Sequence, residues 1–288
     1  MRPNEEVIKR WRTSAPFWEK HRDTIRGMFA PITQALIEDA QIGAQNYVLD
    51  VATGPGEPAL SVAAGVGPNG KVVGVDAIHG MVAAARTEAQ RLGLKNAKFD
   101  VAFADDLPFA ANTFDAVISR FGVMFFPSPV DSVREMLRVL KPGRKPAFAV
   151  WHFAERNPFH SALSRVMDHY VDSPPLEPDA LDAFRFAPRG KLLKVFSEAG
   201  VAAPSERLLQ FKIEAAAVSA EDFWTLRREM SEKLSEKFAT LSEAQKLKVT
   251  QEMLSSLAEY STSNGMSFPA EVLIVSGSKP IMPNPDRE

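Results

Sequence analysis

Four short apolar runs without polar alternation constrain this chain most. They are Tyr47-Val48-Leu49-Asp50-Val51, Lys71-Val72-Val73-Gly74-Val75-Asp76, Phe114-Asp115-Ala116-Val117-Ile118 and Ala147-Phe148-Ala149-Val150-Trp151. A strand covered on one face alternates, whereas runs like these suit strands buried on both faces of a parallel sheet. Parallel strands need crossovers, and helical patterns fill the gaps. They cover Glu57 to Val66, Gly80 to Leu92, and Val130 to Leu140, the last stopped by Lys141-Pro142-Gly143. The alternation over residues 46–151 predicts right-handed βαβ units in an open, doubly wound sheet.

The flanks read differently. Val7, Ile8, Trp11 and Ala15 fall at helical spacing before an expected break at Pro16, and a second helical stretch runs from Thr24 towards Glu38. Beyond Trp151, Pro158, Pro174, Pro175, Pro178 and Pro188 predict short helices joined by turns. Lys191 to Ala199 reads as a helix ended by Gly200, and residues 205–217 as a strand. Ser219 with Asp222, and Ser242 with Gln245, make capping-box patterns ahead of helical stripes. Ala270 to Ser276 reads as the last strand, and the tail from Pro280 as frayed. The expected organisation is a helical cap over 1–42 and a ligand-binding core over 43–152. The rest of the core, with helical lid insertions, follows over 153–279, and a flexible tail over 280–288.

Composition removes several function classes. Lys plus Arg is 34 against 36 Asp plus Glu, a formal charge of -2, so no electrostatic footprint for nucleic acid is expected. Cysteine is absent, which excludes disulfides, Cys-ligated zinc, iron–sulfur clusters and Cys nucleophiles; no metal site is expected. Met1-Arg2-Pro3-Asn4-Glu5-Glu6 is polar and acidic, and no apolar run approaches the ~18–20 residues of a membrane helix. The expectation is a cytoplasmic monomer or homodimer without a membrane span.

Chemistry concentrates after the first run. Asp50-Val51-Ala52-Thr53-Gly54-Pro55-Gly56-Glu57 links a buried strand to a helix. Glycines there allow a sharp turn and close approach to a ligand, beside the unpaired N–H groups of a helix start. Asp76 ends the second strand twenty residues after Gly56, where a carboxylate accepts from both ribose hydroxyls of a nucleoside. The plainer alternative is a tight turn with Asp76 as a helix cap. Gly54-Pro55-Gly56-Glu57-Pro58-Ala59 also fits the dinucleotide form G-x-G-x-x-A, so an NAD(P)-dependent oxidoreductase stays open. Against it, Asp50 would point at a pyrophosphate, and no tyrosine is followed by lysine four residues on.

These segments, with Gly74-Val75-Asp76-Ala77-Ile78-His79-Gly80-Met81, Asp106-Leu107-Pro108-Phe109, Phe114–Ser119 and Leu140-Lys141-Pro142-Gly143, stand in a telling order. The set resembles class I S-adenosylmethionine-dependent methyltransferases of the ubiquinone/menaquinone-biosynthesis type. The resemblance implies a Rossmann-like, mostly parallel seven-stranded sheet with an antiparallel last strand. It implies S-adenosylmethionine as cofactor, S-adenosylhomocysteine as product, and a small-molecule acceptor. It puts Asp50 near the methionine amino group, Ala52, Thr53, Gly54 and Gly56 under the ligand, and Asp76 on the ribose. Ala77 and Met81 would pack on adenine, with Phe103, Ala104 and Asp105 at its edge. Ser119, Arg120 and Phe121 would line the methyl-donor side, with Trp18 over the ligand from the cap. Three positions depart from the family pattern: Ala52 replaces a glycine, Ile78 a serine and Phe103 an acid.

For the acceptor, His152 directly follows the fifth strand, at the carboxyl edge where open sheets bind ligands, and is the candidate general base. A structural histidine is the alternative. Phe121, Met124, Phe125 and Phe126, with Trp11, Phe17, Trp18, Phe223, Trp224, Met230 and Phe238, offer an apolar surround. That favours a small apolar or aromatic acceptor. A non-catalytic nucleotide-binding regulator is the remaining alternative.

Overall fold

A computed structural model describes residues 5–172, 177 and 179–281. The four apolar runs become β1 (Tyr47–Val51), β2 (Lys71–Asp76), β4 (Phe114–Arg120) and the end of β5 (Leu140–Trp151). The sequence reading missed β3 (Ala97–Val101), a half-exposed strand whose Lys98 and Asp100 point to solvent. β6 (Ala202–Ala216) and β8 (Gly265–Ser278) overlap the strands expected at 205–217 and Ala270–Ser276, and the two-residue β7 (Ser261–Thr262) was not expected. The strand order is β3-β2-β1-β4-β5-β8-β6, with β7 pairing β8 off that path. β1 pairs in parallel with β2 and with β4, whereas β8 runs antiparallel to both β5 and β6. This is the doubly wound, mostly parallel sheet expected, with an eighth short strand added among the described residues.

The helices are α1 (Glu5–Lys20), α2 (Arg22–Met28), α3 (Ala30–Asp39), α4 (Ala59–Val66), α5 (His79–Arg91) and α6 (Pro129–Val139). They continue with α7 (Pro158–Asp168), α8 (Lys191–Ala199), α9 (Ala220–Met230), α10 (Glu232–Ala239) and α11 (Glu243–Leu257). The Pro16 break does not occur, because Pro16 sits on the exposed face of α1 while Ala15 and Trp18 pack inward. Packing along an unbroken apolar stripe outweighs the lost backbone bond. The expected helix over 24–38 is instead divided at Phe29 into α2 and α3, with Pro31 in the first turn of α3. α6 ends at Val139, just before Lys141-Pro142-Gly143 as expected, and β5 starts at once at Leu140 and bulges there. Lys279 caps that junction, its ammonium donating to the carbonyls of Arg138 and Leu140.

Gly200 ends α8 at φ +92, and the Ser242–Gln245 box closes reciprocally at α11. Ser219 accepts from the Asp222 N–H but donates its hydroxyl to the Asp222 carboxylate, so only half that box forms. The tail beyond Ile281, and Pro174, Pro175 and Pro178, lie outside the described residues. No helix among the described residues is long and apolar enough to cross a membrane.

The order reverses between β1 and β4. Ligands of open α/β sheets bind at the carboxyl ends of strands at such a switch point. α1 packs on α5 and on α9, which places the N-terminal helix over that crevice.

Candidate nucleoside-binding active site

The crevice opens where β1 hands over to the glycine loop. Gly54 sits at φ +57 with open space where a side chain would begin, while a Cβ on Gly56, at φ +110, would meet Leu60 at 2.6 Å. The first glycine therefore keeps the ligand floor clear, and the second lets α4 start close beneath it. Opposite, Gly122 follows β4, where a Cβ would strike that of Ala52 at 2.5 Å. Ser119 is wholly buried, its hydroxyl donating to the Val51 carbonyl at 2.8 Å. It straps β4 to β1 and does not reach the cavity lining.

One cavity fills this switch point. Its floor holds Ala52, Thr53, Gly54 and Pro55; Asp76, Ala77, Ile78 and Met81 line one side, and Phe103, Ala104 and Asp105 its edge. Arg120 and Phe121 line the β4 side, and Ile8, Trp11 and Trp18 of α1 close over it. Twelve of the sixteen residues singled out from the sequence thus share one wall. Asp50, Gly56, Ser119 and His152 do not line it.

Asp76 is the best-prepared group. Its Oδ2 accepts the Gly54 N–H and its Oδ1 the Ile78 N–H, both at 2.9 Å. Each oxygen keeps a lone pair for a diol. Burial pushes its carboxyl up to about 6 against these two donors, so a partner that donates to it is favourable. Ile78 packs with Ala15 and Met81 and receives α1. Phe103, standing for an acid, is 41% exposed at the rim, and its carbonyl accepts the Asp106 N–H.

Asp50 lies beneath the loop. Its Oδ2 accepts the Thr53 hydroxyl at 2.7 Å and the Ala59 N–H at 3.1 Å, and its Oδ1 is buried without a partner. Burial pushes it up to about 7, opposed by the Thr53 hydroxyl and the Arg120 charge. Arg120 donates to Thr33 Oγ1 at 2.8 Å and faces Phe29 at 5.6 Å. It stands near both Asp50 and Glu57, and its own burial lowers its affinity for the proton. Phe121 holds a left-handed backbone, φ +66, and stacks on Trp151 at 4.3 Å. A bulky residue rarely takes that conformation, and here the stack and its N–H bond to the Ala149 carbonyl hold it.

His152 is turned elsewhere. Its Nδ1 pairs with Glu271 at 2.8 Å, and its ring packs on Phe153. The structure does not bring it to the cavity. Two residues that sequence reasoning missed do line it, Arg22 and Glu57. Arg22 had no signal, being one polar residue of a surface-like helix. Glu57 had one: an acid immediately after a glycine loop, at a helix start that favours negative charge.

Geometry and fold define a Rossmann-like, mostly parallel sheet with a crevice at its switch point, lined by a glycine loop and by Asp76. Residues 48–143 match the family model described as a methyltransferase domain. The chain is 33% identical over 168 residues to a ubiquinone/menaquinone biosynthesis C-methyltransferase of Pseudomonas fluorescens, 58% of this chain and 64% of that protein. It is 38% identical over 109 residues to a demethylmenaquinone methyltransferase of Bacillus cereus, 38% of this chain and 45% of that one. It therefore spans less than two thirds of the length of these curated relatives. In structure it resembles the YcgJ protein of Bacillus subtilis, with a TM-score of 0.56 at 20% identity over 88% of this chain and 99% of that one.

Proposed function

We propose that this protein is an S-adenosylmethionine-dependent methyltransferase acting on a small, apolar or aromatic acceptor. The observation that carries it is Asp76, held by two backbone N–H groups at the rim of a cavity inside the matched methyltransferase domain. The residues present suit the cofactor: a carboxylate for the ribose, a glycine floor, and Ala77 and Met81 for the base. When bound, S-adenosylmethionine supplies a methyl group already activated on a sulfonium.

The chain's own part is alignment and exclusion of water. Ile8, Trp11, Phe125 and Phe126 make an apolar wall on which a flat acceptor can lie. Carbon is the acceptor atom we favour. No histidine, lysine or tyrosine lines this cavity among the described residues. A hydroxyl must lose its proton as it attacks, whereas an electron-rich ring carbon attacks first and then gives its proton to a base such as water or the cavity carboxylate Asp105. The relatives named for ubiquinone and menaquinone biosynthesis support an aromatic acceptor of this kind.

Calorimetry with S-adenosylhomocysteine, NADH and NADPH tests the cofactor. S-adenosylhomocysteine should bind and the nicotinamide nucleotides should not; the reverse would sink the reading. Asp76→Ala should weaken S-adenosylhomocysteine by about 2–3 kcal/mol, the worth of one or two hydrogen bonds to a charged group. A turnover screen over quinols, phenols and small amines then reads the acceptor class.

A further inference from the structure

Four buried polar groups in and under this crevice lack partners, which is unusual in a folded protein. They are Trp18 Nε1, the Nε and Nη1 atoms of Arg22, Glu57 Oε1 and Asp50 Oδ1. Asp50 is sealed beneath the loop, but Trp18, Arg22 and Glu57 all line the cavity. The remaining atoms of Arg22 and Glu57 are fixed from behind. Arg22 Nη2 pairs with Glu88 at 2.9 Å, and Glu57 Oε2 accepts the Ser61 hydroxyl at 2.7 Å. Each group is thus held in place with its free atoms unspent.

Helix α2 carries Arg22 to the cavity wall and reaches the Glu57 side through a second arginine. Arg26, one turn after Arg22, reaches to 4.0 Å from Glu57 Oε1 while its other end is taken by Asp23 at 2.7 Å. Unpartnered donor atoms on one buried cation and an unpartnered acceptor atom on one buried carboxylate, both lining the cavity, match a zwitterion.

We propose that Arg22 and Glu57 clamp the α-amino-acid end of the cofactor, Arg22 taking the carboxylate and Glu57 the ammonium. It follows that the contact seats α1 and α2 over the crevice. This rests on the S-adenosyl reading above and deepens it. The ammonium goes to Glu57, not to the strand-end Asp50, whose Oδ2 is already spent on Thr53 and Ala59. Trp18 Nε1, also unpartnered, is a further donor on a residue lining the cavity. Because Arg22 belongs to the N-terminal segment and Glu57 to the core, a ligand touching both ties the two together.

Three probes separate the parts: S-adenosylhomocysteine, its decarboxylated analogue, and 5′-methylthioadenosine, which lacks the amino-acid end. The unaltered protein should bind S-adenosylhomocysteine at least ~30-fold more tightly than 5′-methylthioadenosine. Arg22→Gln and Glu57→Gln should each weaken S-adenosylhomocysteine by ~10–100-fold, as expected for one charge-assisted contact, and change 5′-methylthioadenosine by less than ~3-fold. Only Glu57→Gln should weaken the decarboxylated analogue. Hydrogen exchange over residues 5–28 should slow with S-adenosylhomocysteine and much less with 5′-methylthioadenosine. Equal affinity for the two nucleosides, or variants that weaken both alike, would overturn the clamp and leave the cofactor reading standing. If neither nucleoside binds, the cofactor reading fails and the clamp with it.

Discussion

The glycine-loop core and the helical cap both bury charge, and they do it in opposite ways. In the core, Asp50, Glu57 and Arg120 stand together, so each buried charge has an opposite one nearby. In the cap, Arg227 of α9 is 9% exposed and has no carboxylate acting on it. It is held by the Phe159 face at 4.3 Å and by His160 Nδ1 at 3.1 Å. Burial pulls its pKa down to about 10, while burial and that neighbouring cation push His160 well below the ordinary histidine range. The core leaves an unpartnered Glu57 oxygen on the cavity wall, and Arg22 of α2 adds unpartnered donor atoms to the same lining, which suits a zwitterionic ligand. A lone cation held by ring faces does a packing job, through the aromatic contacts that join α7 to α9.

The largest expected effect probes the core. Asp50 rises to about 7 when folded, against an ordinary 3.8. Between those values the native state keeps a proton that the unfolded chain has lost, so stability falls as pH rises. Asp76, at about 6, acts in the same direction over a narrower window. Denaturant midpoints of the ligand-free protein should therefore be higher at pH 5 than at pH 8. The Asp50 share between these two pH values is on the order of 2–3 kcal/mol. Asp50→Asn should remove most of that slope and stabilise the protein at pH 8. A flat wild-type profile would show that the core does not hold its charges as described.

The cap gives a smaller effect. Replacing a buried cation that has no counterion by a side chain of similar volume is close to neutral. Arg227→Met should shift unfolding free energy by no more than ~1 kcal/mol, the lost contact with Phe159 offset by relief of desolvation. A loss above ~3 kcal/mol would mean that the cap depends on its charge as strongly as the core does.

The same contrast governs what could be read in advance. Core strands buried on both faces carry their signature in consecutive residues, so β1, β2 and β4 were legible, as was the loop that ends at Asp76. Half-exposed β3, with Lys98 and Asp100, lacks an apolar run and was missed. The floor of the site follows the chain and was legible with it. The roof does not: Arg22 is 35 residues from Glu57 and reaches the same cavity only through the packing of α2. His152 failed for a related reason. Its strand end was placed correctly, but the partner that turns its ring away, Glu271, arrives from the last strand. An antiparallel neighbour 119 residues distant leaves no local trace.

The smallest effect sharpens the comparison at one residue of the floor. Ala52 adopts φ +61, the left-handed region that suits glycine. An L side chain in that region costs roughly 1–2 kcal/mol, whereas glycine gives back up to ~1 kcal/mol through its freer unfolded chain. Ala52→Gly should therefore stabilise the protein by ~0–1 kcal/mol in denaturant titration. The substitution also removes the methyl that a Cβ at position 122 would strike at 2.5 Å. Gly122→Ala should accordingly be destabilising alone and less so beside Ala52→Gly, the coupling expected of residues in contact. Ser119 Oγ, 2.7 Å from that same Cβ, would remain as a partial obstacle. Strict additivity of the two changes would mean that the β1 and β4 loops are farther apart in solution than this packing requires. The cavity floor would then be looser than the strap from Ser119 to Val51 implies.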